Sequence, residues 1–526
     1  MPACFDRACR PPRKARSAPL FGSALMALFL TSLVAACSSP ATRAGEPVDP
    51  VEAAERAVPN IIILLADDMG WNDVGFHGSE IRTPNLDRLA AEGVVLDRFY
   101  VQPTCSPTRS ALMTGKAAFR LGVFAPLSKN NATGLPISET LLPEYLKTAG
   151  YSTALTGKWH LGARHRAYLP NQRGFDYFYG NLTGGIGYWD HVHGGGYDLQ
   201  RNGVAARDSG YITDLIGHDA RRVIRSRKAN QPFFLYVAFN APHLPNEAPE
   251  QAIAQYGPID RQDRRVHAAM VSELDRQVGQ ILDTLEDEGI LDNTLIWFMS
   301  DNGGLIEAPQ SVRNMTDAER RAHLETQYGV PVSQRFLDFV RINQTEGGSD
   351  NGPLKGGKGT VWEGGTRVPS VVYWKGTLAP GHRPDMVTVQ DVLPTLLSVA
   401  GLAKPAAPID GRDVWPLIQS GATPDERAYV VQARHGGLDL ALYQYPWKLV
   451  QPSTGAAMLF DVEADPSESR DLAADYPDIL AALQKVLTDF PRGRDVAEPF
   501  DRIMQDPDFF GGEEDRVPWA DQVVDD

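Results

Sequence analysis

The chain has 526 residues, of which 43% are hydrophobic and 22% charged, and its formal net charge is −15. That length and apolar content can bury a large core and exclude bulk disorder, leaving two or three domains or one large α/β domain. The acidic balance excludes nucleic acid as a partner, and any anionic substrate must be drawn in by local Arg, Lys and His clusters against the overall field.

The first residues differ from the rest. Arg7, Arg10, Arg13, Lys14 and Arg16 precede an apolar stretch over 20–34 that ends in Val34-Ala35-Ala36-Cys37-Ser38. This reads as an export signal over 1–36, because the apolar part is too short for a comfortable membrane span. Val-Ala-Ala-Cys is similar to a bacterial lipobox, which implies cleavage before Cys37 and lipid on its thiol. The mature protein would then be an exported lipoprotein, in the periplasm or at the outer membrane or cell surface, with 37–57 as a polar tether. Removing the leader, with five basic residues and Asp6, takes the net charge from −15 to about −19. Of the four cysteines, Cys4 and Cys9 leave with the signal and Cys37 carries lipid. Cys105 alone remains in the body, so no internal disulfide can form.

A run of aliphatic residues over 61–66 ends at Asp67-Asp68, and a helical pattern follows over 84–93. The run Thr104-Cys105-Ser106-Pro107-Thr108-Arg109 then opens a helix, with Pro107 suited to its first turn. Unpaired N–H groups and the helix dipole there favour an oxyanion, which Cys105 and Arg109 would both face. A buried structural cysteine is the plain alternative. A strand over 151–156 leads into Lys158 and His160, and one over 233–239 leads into His243. A long amphipathic helix over 264–288 precedes a strand over 295–299 that delivers Asp301 and Asn302. Strands alternating with helices predict a mainly parallel sheet covered on both faces, with ligands beyond the carboxyl ends of its strands. The sheet domain continues through a strand over 370–374 and a helix over 389–400. Composition then shifts near 420–424. Four short strand-like runs and a helix over 478–490 predict a small α+β domain over 420–491, after a main domain over 58–419. The tail over 492–526 is acidic and irregular and receives no role.

Asp67, Asp68, Asp301 and Asn302 are hard oxygen donors from two strand ends, a set suited to Ca²⁺ or Mg²⁺ and not to zinc. Lys158, His160, His243 and Lys358, the last within a glycine-rich run over 356–365, add the cations and donors that a sulfuryl or phosphoryl group needs. Taken singly, each has a bland reading as a helix cap, turn residue or solvated loop charge.

In order and spacing these blocks resemble the formylglycine-dependent (type I) sulfatase family over roughly 59–490. The run over 65–78, Leu-Ala-Asp-Asp-Met-Gly-Trp-Asn-Asp-Val-Gly-Phe-His-Gly, looks like the arylsulfatase B or N-acetylgalactosamine-4-sulfatase branch. The resemblance implies an alkaline-phosphatase-like α/β fold, a large mixed, mostly parallel sheet flanked by helices, with a small C-terminal α+β domain. It implies that a formylglycine-generating enzyme oxidises Cys105 to formylglycine, whose hydrated aldehyde is the nucleophile. Asp67, Asp68, Asp301 and Asn302 become ligands of a metal, usually Ca²⁺, which residue 105 also faces. Arg109 would steady the hydrate, and Asp301 would aid its attack. Lys158, His243 and Lys358 would hold the sulfate oxygens, with His243 or Lys358 protonating the departing alcohol. His160 would take the proton whose loss expels sulfate.

Two departures stand out: Thr108 where many members have Ser, and a long stretch over 305–353 with helical patterns over 317–326 and 333–342 that could wall the cleft. The aromatic, glycine-rich run over 184–196, with Tyr188, Trp189, His191 and His193, is the second candidate wall; Trp189 and His191 are its candidate substrate-binding residues. The function expected is hydrolysis of sulfate esters on a carbohydrate. The alternatives are a phosphonate monoester or phosphodiester hydrolase of the same superfamily, and a catalytically idle glycan-binding surface lipoprotein.

Overall fold

The computed structural model describes residues 58–525 except 130, 195, 330, 423–426, 435–436 and 497–517. The export signal, the tether and Cys37 lie outside the described residues. Among the described residues no helix is long and apolar enough to cross a membrane.

The main sheet is built from β1 (Asn60–Ala66), β2 (Val94–Tyr100), β3 (Ser152–Gly157), β4 (Tyr177–Gly180), β5 (Phe233–Ala238), β6 (Thr294–Ser300), β7 (Ser370–Tyr373) and β8 (Gly381–Thr388). Their order is β2-β7-β6-β1-β5-β3-β4, with β8 paired to β2 and short strands at both edges. Strand β1 is parallel to β5 and β6, β3 is parallel to β5 and β4, and β7 runs antiparallel to β6. All seven residues of β1 are buried. Ile61, Ile63 and Leu65 enter one core while Ile62, Leu64 and Ala66 enter the other, as the two-residue period of a strand covered on both sides demands.

Each core has its own helices. One holds α2 (Cys105–Thr114) and α5 (Val392–Val399); the other holds α1 (Pro84–Glu92), α3 (Ile212–Arg225) and α4 (Gln262–Asp287). The first turn of α1 has no cap from its own Thr83. Asp275 of α4 supplies it instead, accepting from Asn85 N at 3.1 Å and Leu86 N at 2.8 Å. Burial raises that carboxyl to about 6.

A four-stranded antiparallel sheet follows, β9 (Tyr429–Arg434), β10 (Leu438–Gln444), β11 (Trp447–Gln451) and β12 (Met458–Asp461). Val430, Leu442, Leu449 and Leu459 face helix α6 (Pro477–Asp489), while Tyr429, Val431, Tyr443 and Val450 face Tyr100, Val361 and Met386 of the main domain. The described residues from Val58 onward cluster as one compact unit. The helices expected inside 305–353 span Asp317–Tyr328 and Gln334–Thr345 and share a small core of Leu324, Val332, Phe336 and Leu337. The tail is more structured than its composition predicts. Trp519–Gln522 forms a short 3-10 helix, Pro518 bridges to Tyr197 and Val524 to His165.

Candidate active site

Register places the chemistry. Ala66 pairs with Ser300, Leu65 with Ala238 and Gly157 with Ala238, so four strands finish in one row. The ladder runs one step further: Asp301 N donates to Ala66 O at 3.0 Å, Asp67 N to Ala241 O at 3.1 Å and Lys158 N to Ala238 O at 2.8 Å. Just beyond, Asp68 and His160 take left-handed backbone angles, φ 68° and 61°, which turn their side chains out of the strand direction. After Asn302, Gly303 lies so close to the chain that a Cβ would come within 1.8 Å of Gly364 O.

Asp67, Asp68, Cys105 and His243 each bring a ligand atom within 4.8 Å of the others. Asn302 Nδ2 donates to Asp68 Oδ1 at 2.7 Å, and Asp68 N lies 3.3 Å from Asp301 Oδ1. Asn302 Oδ1 is buried with no hydrogen-bond partner. An amide oxygen stranded among carboxylates has no donor to satisfy it, and a cation is the partner such a set fits.

Cations interleave these groups. Lys158 Nζ lies 2.5 Å from Asp67 Oδ2, Lys358 Nζ 2.6 Å from Asp68 Oδ2 and His243 Nε2 3.7 Å from that same oxygen. Arg109, fully buried, donates to Asp301 Oδ2 from Nε at 3.0 Å and Nη2 at 2.8 Å, and from Nη1 to Lys158 O at 2.8 Å. It therefore braces Asp301 and the Lys158 turn and has little left to offer a ligand. Three carboxylates are matched by three permanent cations.

Burial would raise Asp68, but Lys358, His243 and Lys158 outweigh it and hold the group well below the usual carboxylate range. In Asp301 burial, reinforced by Asp67, wins over Arg109 and lifts the carboxyl to about 6. Burial pushes the Cys105 thiol up to about 12, so the thiol itself is a poor nucleophile at neutral pH. Its Sγ is 3.5 Å from Asp67 Oδ1.

His160 is set by a ring of hydrogen bonds. Ser106 Oγ donates to His160 O at 2.8 Å and accepts from Leu127 N at 3.0 Å, while His160 Nε2 meets Leu127 O at 3.0 Å. A carbonyl only accepts, so Nε2 carries the proton and Nδ1, buried and unpartnered, keeps its lone pair. Burial, with Lys158 and Arg109 adding to it, keeps the ring well below its ordinary pKa and therefore neutral. In the same way His243 Nδ1 donates to Leu244 O at 2.6 Å, leaving Nε2 toward Asp68.

Thr108 does not disturb this arrangement. Its hydroxyl donates to Gln102 O at 3.1 Å and accepts from Gln102 N at 2.9 Å, stapling the entry to α2. Asp73, which sequence reasoning left without a role, locks the Asp67-Asp68 turn to the end of the 305–353 stretch. It accepts from Gly70 N and His267 Nε2 at 2.9 Å and Ser349 Oγ at 2.5 Å, and pairs with Arg264.

The second wall is only partly as expected. Trp189 is 50% exposed and its ring lies 5.1 Å from that of Tyr211. Tyr188 OH ties this turn to the His243 loop, lying 3.0 Å from Asn240 O and 2.9 Å from His243 O. His191 departs from the expectation. It is buried, with Nε2 3.0 Å from Gly210 O and Nδ1 3.5 Å from Tyr197 OH, so it braces the loop from within. His193 is the histidine of this run that lies beside the centre.

Residues 59–402 match the Sulfatase family model. The chain is 33% identical over 494 residues to arylsulfatase J of Mus musculus, covering 82% of this chain and 75% of that protein. It is 36% identical over 393 residues to the N-acetylgalactosamine-6-sulfatase of Mus musculus, covering 70% and 67%. Among solved structures, Ps i-CgsB in complex with k-i-k-neocarrahexaose superposes with a TM-score of 0.72 at 30% identity, covering 86% of this chain and all of that one.

Proposed function

Because this chain belongs to the sulfatase family, with the alkaline-phosphatase-like fold and sulfuric ester hydrolase activity that membership carries, we propose that it removes sulfate from a galacto-configured carbohydrate. In this reading Cys105 is converted to formylglycine by a formylglycine-generating enzyme, and Asp67, Asp68, Asp301 and Asn302 hold a divalent cation, Ca²⁺ before Mg²⁺. The observation that carries the metal is the stranded Oδ1 of Asn302 among those carboxylates. The galacto preference is supported by the 65–78 run and by a galactosamine sulfatase among the relatives.

A formylglycine at 105 supplies, as its hydrate, one hydroxyl to attack sulfur and a second whose deprotonation releases sulfate and restores the aldehyde. A hard divalent cation supplies positive charge that the self-neutralised cluster lacks. The chain's residues do the rest. Lys158 and Lys358, with Nζ atoms on the two neighbouring carboxylates, offer N–H donors to the sulfate oxygens from two sides. Arg109 keeps Asp301 and the Lys158 turn in place. Lys358 Nζ, which shares Asp68 Oδ2 with His243 Nε2, is the group able to pass a proton to the departing alcohol; His243 would do so only as the imidazolium, because the one proton of its neutral ring is on Nδ1. His160, its Nε2–H committed to Leu127 O, offers Nδ1 as the base that takes a proton in sulfate release.

The test is the mass of the Cys105 peptide from protein made alongside the maturation enzyme, followed by assays on N-acetylgalactosamine 4-sulfate, its 6-sulfate, neocarrahexaose, 4-nitrophenyl sulfate and a phenylphosphonate monoester. An aldehyde or hydrate with sulfate release supports the reading. Preference for the phosphonate selects the sister chemistry, and an unmodified thiol with glycan binding alone selects the idle binder. Export with lipid on Cys37 is part of the proposal: Cys37→Ser should move the protein from the membrane to the soluble fraction, and unchanged fractionation would overturn the anchor.

A further inference from the structure

The segment over 518–525 packs against the 184–196 loop and the turn over 164–166. Trp519 Nε1 donates to His193 O at 2.9 Å, and Lys129 Nζ stands 4.5 Å from the centre of an indole ring face. The indole lies so close to Gly196 that a Cβ there would meet it at 2.4 Å. Pro518 bridges to Tyr197; further on, Arg166 N donates to Val524 O at 3.0 Å, Val524 N donates to Arg164 O at 2.9 Å, and Arg166 pairs with Asp525. The segment is thus fastened at two places and grips the hairpin formed by Val192–His193 and Gly196–Tyr197.

That hairpin carries His193. A Cβ built on Gly185 would lie 3.1 Å from His193 Cε1 and Nδ1 and 3.5 Å from His243 Cε1, so the two imidazoles converge over this glycine. His193 is half-buried, and no described residue bonds either ring nitrogen. Burial and then His243, Lys158 and Lys129 push it down to about 3, so the ring is neutral. A neutral imidazole offers one donor and one acceptor, which suits hydroxyl groups better than a sulfate already ringed by cations.

We propose that His193 is a substrate-contact residue that hydrogen-bonds a hydroxyl of the sugar bearing the scissile ester, and that Trp519 is a positioning residue holding it there from the C-terminal segment. The inference rests on the sulfatase reading above. It makes the last residues of the chain part of the specificity apparatus.

Steady-state kinetics of the full chain on 4-nitrophenyl sulfate and on the best-cleaved of N-acetylgalactosamine 4-sulfate, its 6-sulfate and neocarrahexaose test it. His193→Ala should raise KM for the sugar about five- to tenfold, the worth of one substrate hydrogen bond, and change KM for the aryl ester less than about twofold. Trp519→Phe keeps the packed ring and loses the N–H; it should raise the sugar KM less, and should add nothing on top of His193→Ala. Equal losses on both substrates, no loss on either, or additive effects of the two changes would overturn the proposal. Wild-type cleavage of the aryl ester but of none of the three sugars would also overturn it, whereas failure on every sulfate ester would instead sink the sulfatase reading. Should Trp519→Phe fold poorly, His193→Ala alone decides the contact.

Discussion

Two buried charge clusters are built on different terms. At the strand ends, Asp67, Asp68 and Asp301 are interleaved with Arg109, Lys158 and Lys358, and Asn302 Oδ1 has no partner. Between the main domain and the small sheet, Glu363 accepts from Tyr100 OH and Tyr443 OH at 2.8 Å and pairs with Lys448 at 3.2 Å, while Lys448 pairs with Glu468 at 2.7 Å. The second cluster joins two layers, and its one oxygen without a hydrogen bond, Glu468 Oε1, has the Lys448 ammonium 2.7 Å away. The first leaves Asn302 Oδ1, and with it His160 Nδ1, buried without a partner. Buried charge alone therefore does not mark a site here; an unpartnered amide oxygen set among three carboxylates sets the first cluster apart.

The comparison breaks most sharply at Cys105. Cys105→Ala should abolish turnover, by about a thousandfold or more, while leaving the unfolding midpoint nearly unchanged; retained turnover would remove residue 105 from the chemistry. His160→Ala should cost about a hundred- to ten-thousandfold in kcat, read in single-turnover sulfate release, with far less effect on KM. In the joining cluster the reverse pattern is expected. Lys448→Met strands Glu363 and Glu468 without a cation and should cost about 3–5 kcal/mol in urea unfolding, with KM unchanged in whatever folded protein remains. Chelation sharpens the contrast: removing divalent metal should erase activity and lower the melting temperature, and readdition should restore both, whereas added metal should not recover the stability that Lys448→Met loses relative to the wild type.

The smallest effect concerns pH. The Asp275 carboxyl is raised by burial to about 6 in the folded protein, above the ordinary 3.8, so the fold holds this proton more tightly than the unfolded chain does. Its favourable contribution is complete below about pH 4 and is lost as pH rises through 6, by no more than about 3 kcal/mol. Relative to Asp275→Asn, the wild type should therefore lose stability between pH 4 and 7 in denaturant titrations. A gain over that range would mean that the bonds to Asn85 and Leu86 outweigh burial.

Much of this was legible in the sequence because burial on both faces forces continuous apolar runs, and those runs end where the chain turns polar. The strands before Asp67, Lys158, His243 and Asp301 were visible for that reason. Strand β8 was not, since Pro384 sits where its register against β2 shifts between Arg383 and Met386. The choice of His191 over His193 failed through one backbone angle. His191 sits at φ 58°, so the two residues do not share a face as alternation would suggest. Ser106 and Asp73 act through hydrogen bonds to partners far along the chain, which no local pattern reports. Trp519 lies in an acidic stretch without periodicity, and only tertiary docking gives it a place.

The row in which β1, β3, β5 and β6 finish is a datum line for the whole enzyme. Asp68 and Asp301 are 233 positions apart in sequence, yet their spacing is inherited from a hydrogen-bond lattice whose step is about 3.3 Å. A deletion of one residue within any of these strands would displace its acid or base by a full step and invert every side chain behind it. Length variation is therefore confined to the connections beyond the row, where the 305–353 stretch, the 184–196 loop and the C-terminal segment already lie. Such a chain can acquire new substrates by lengthening its loops, while the distances that perform the chemistry stay at the gauge set by the sheet.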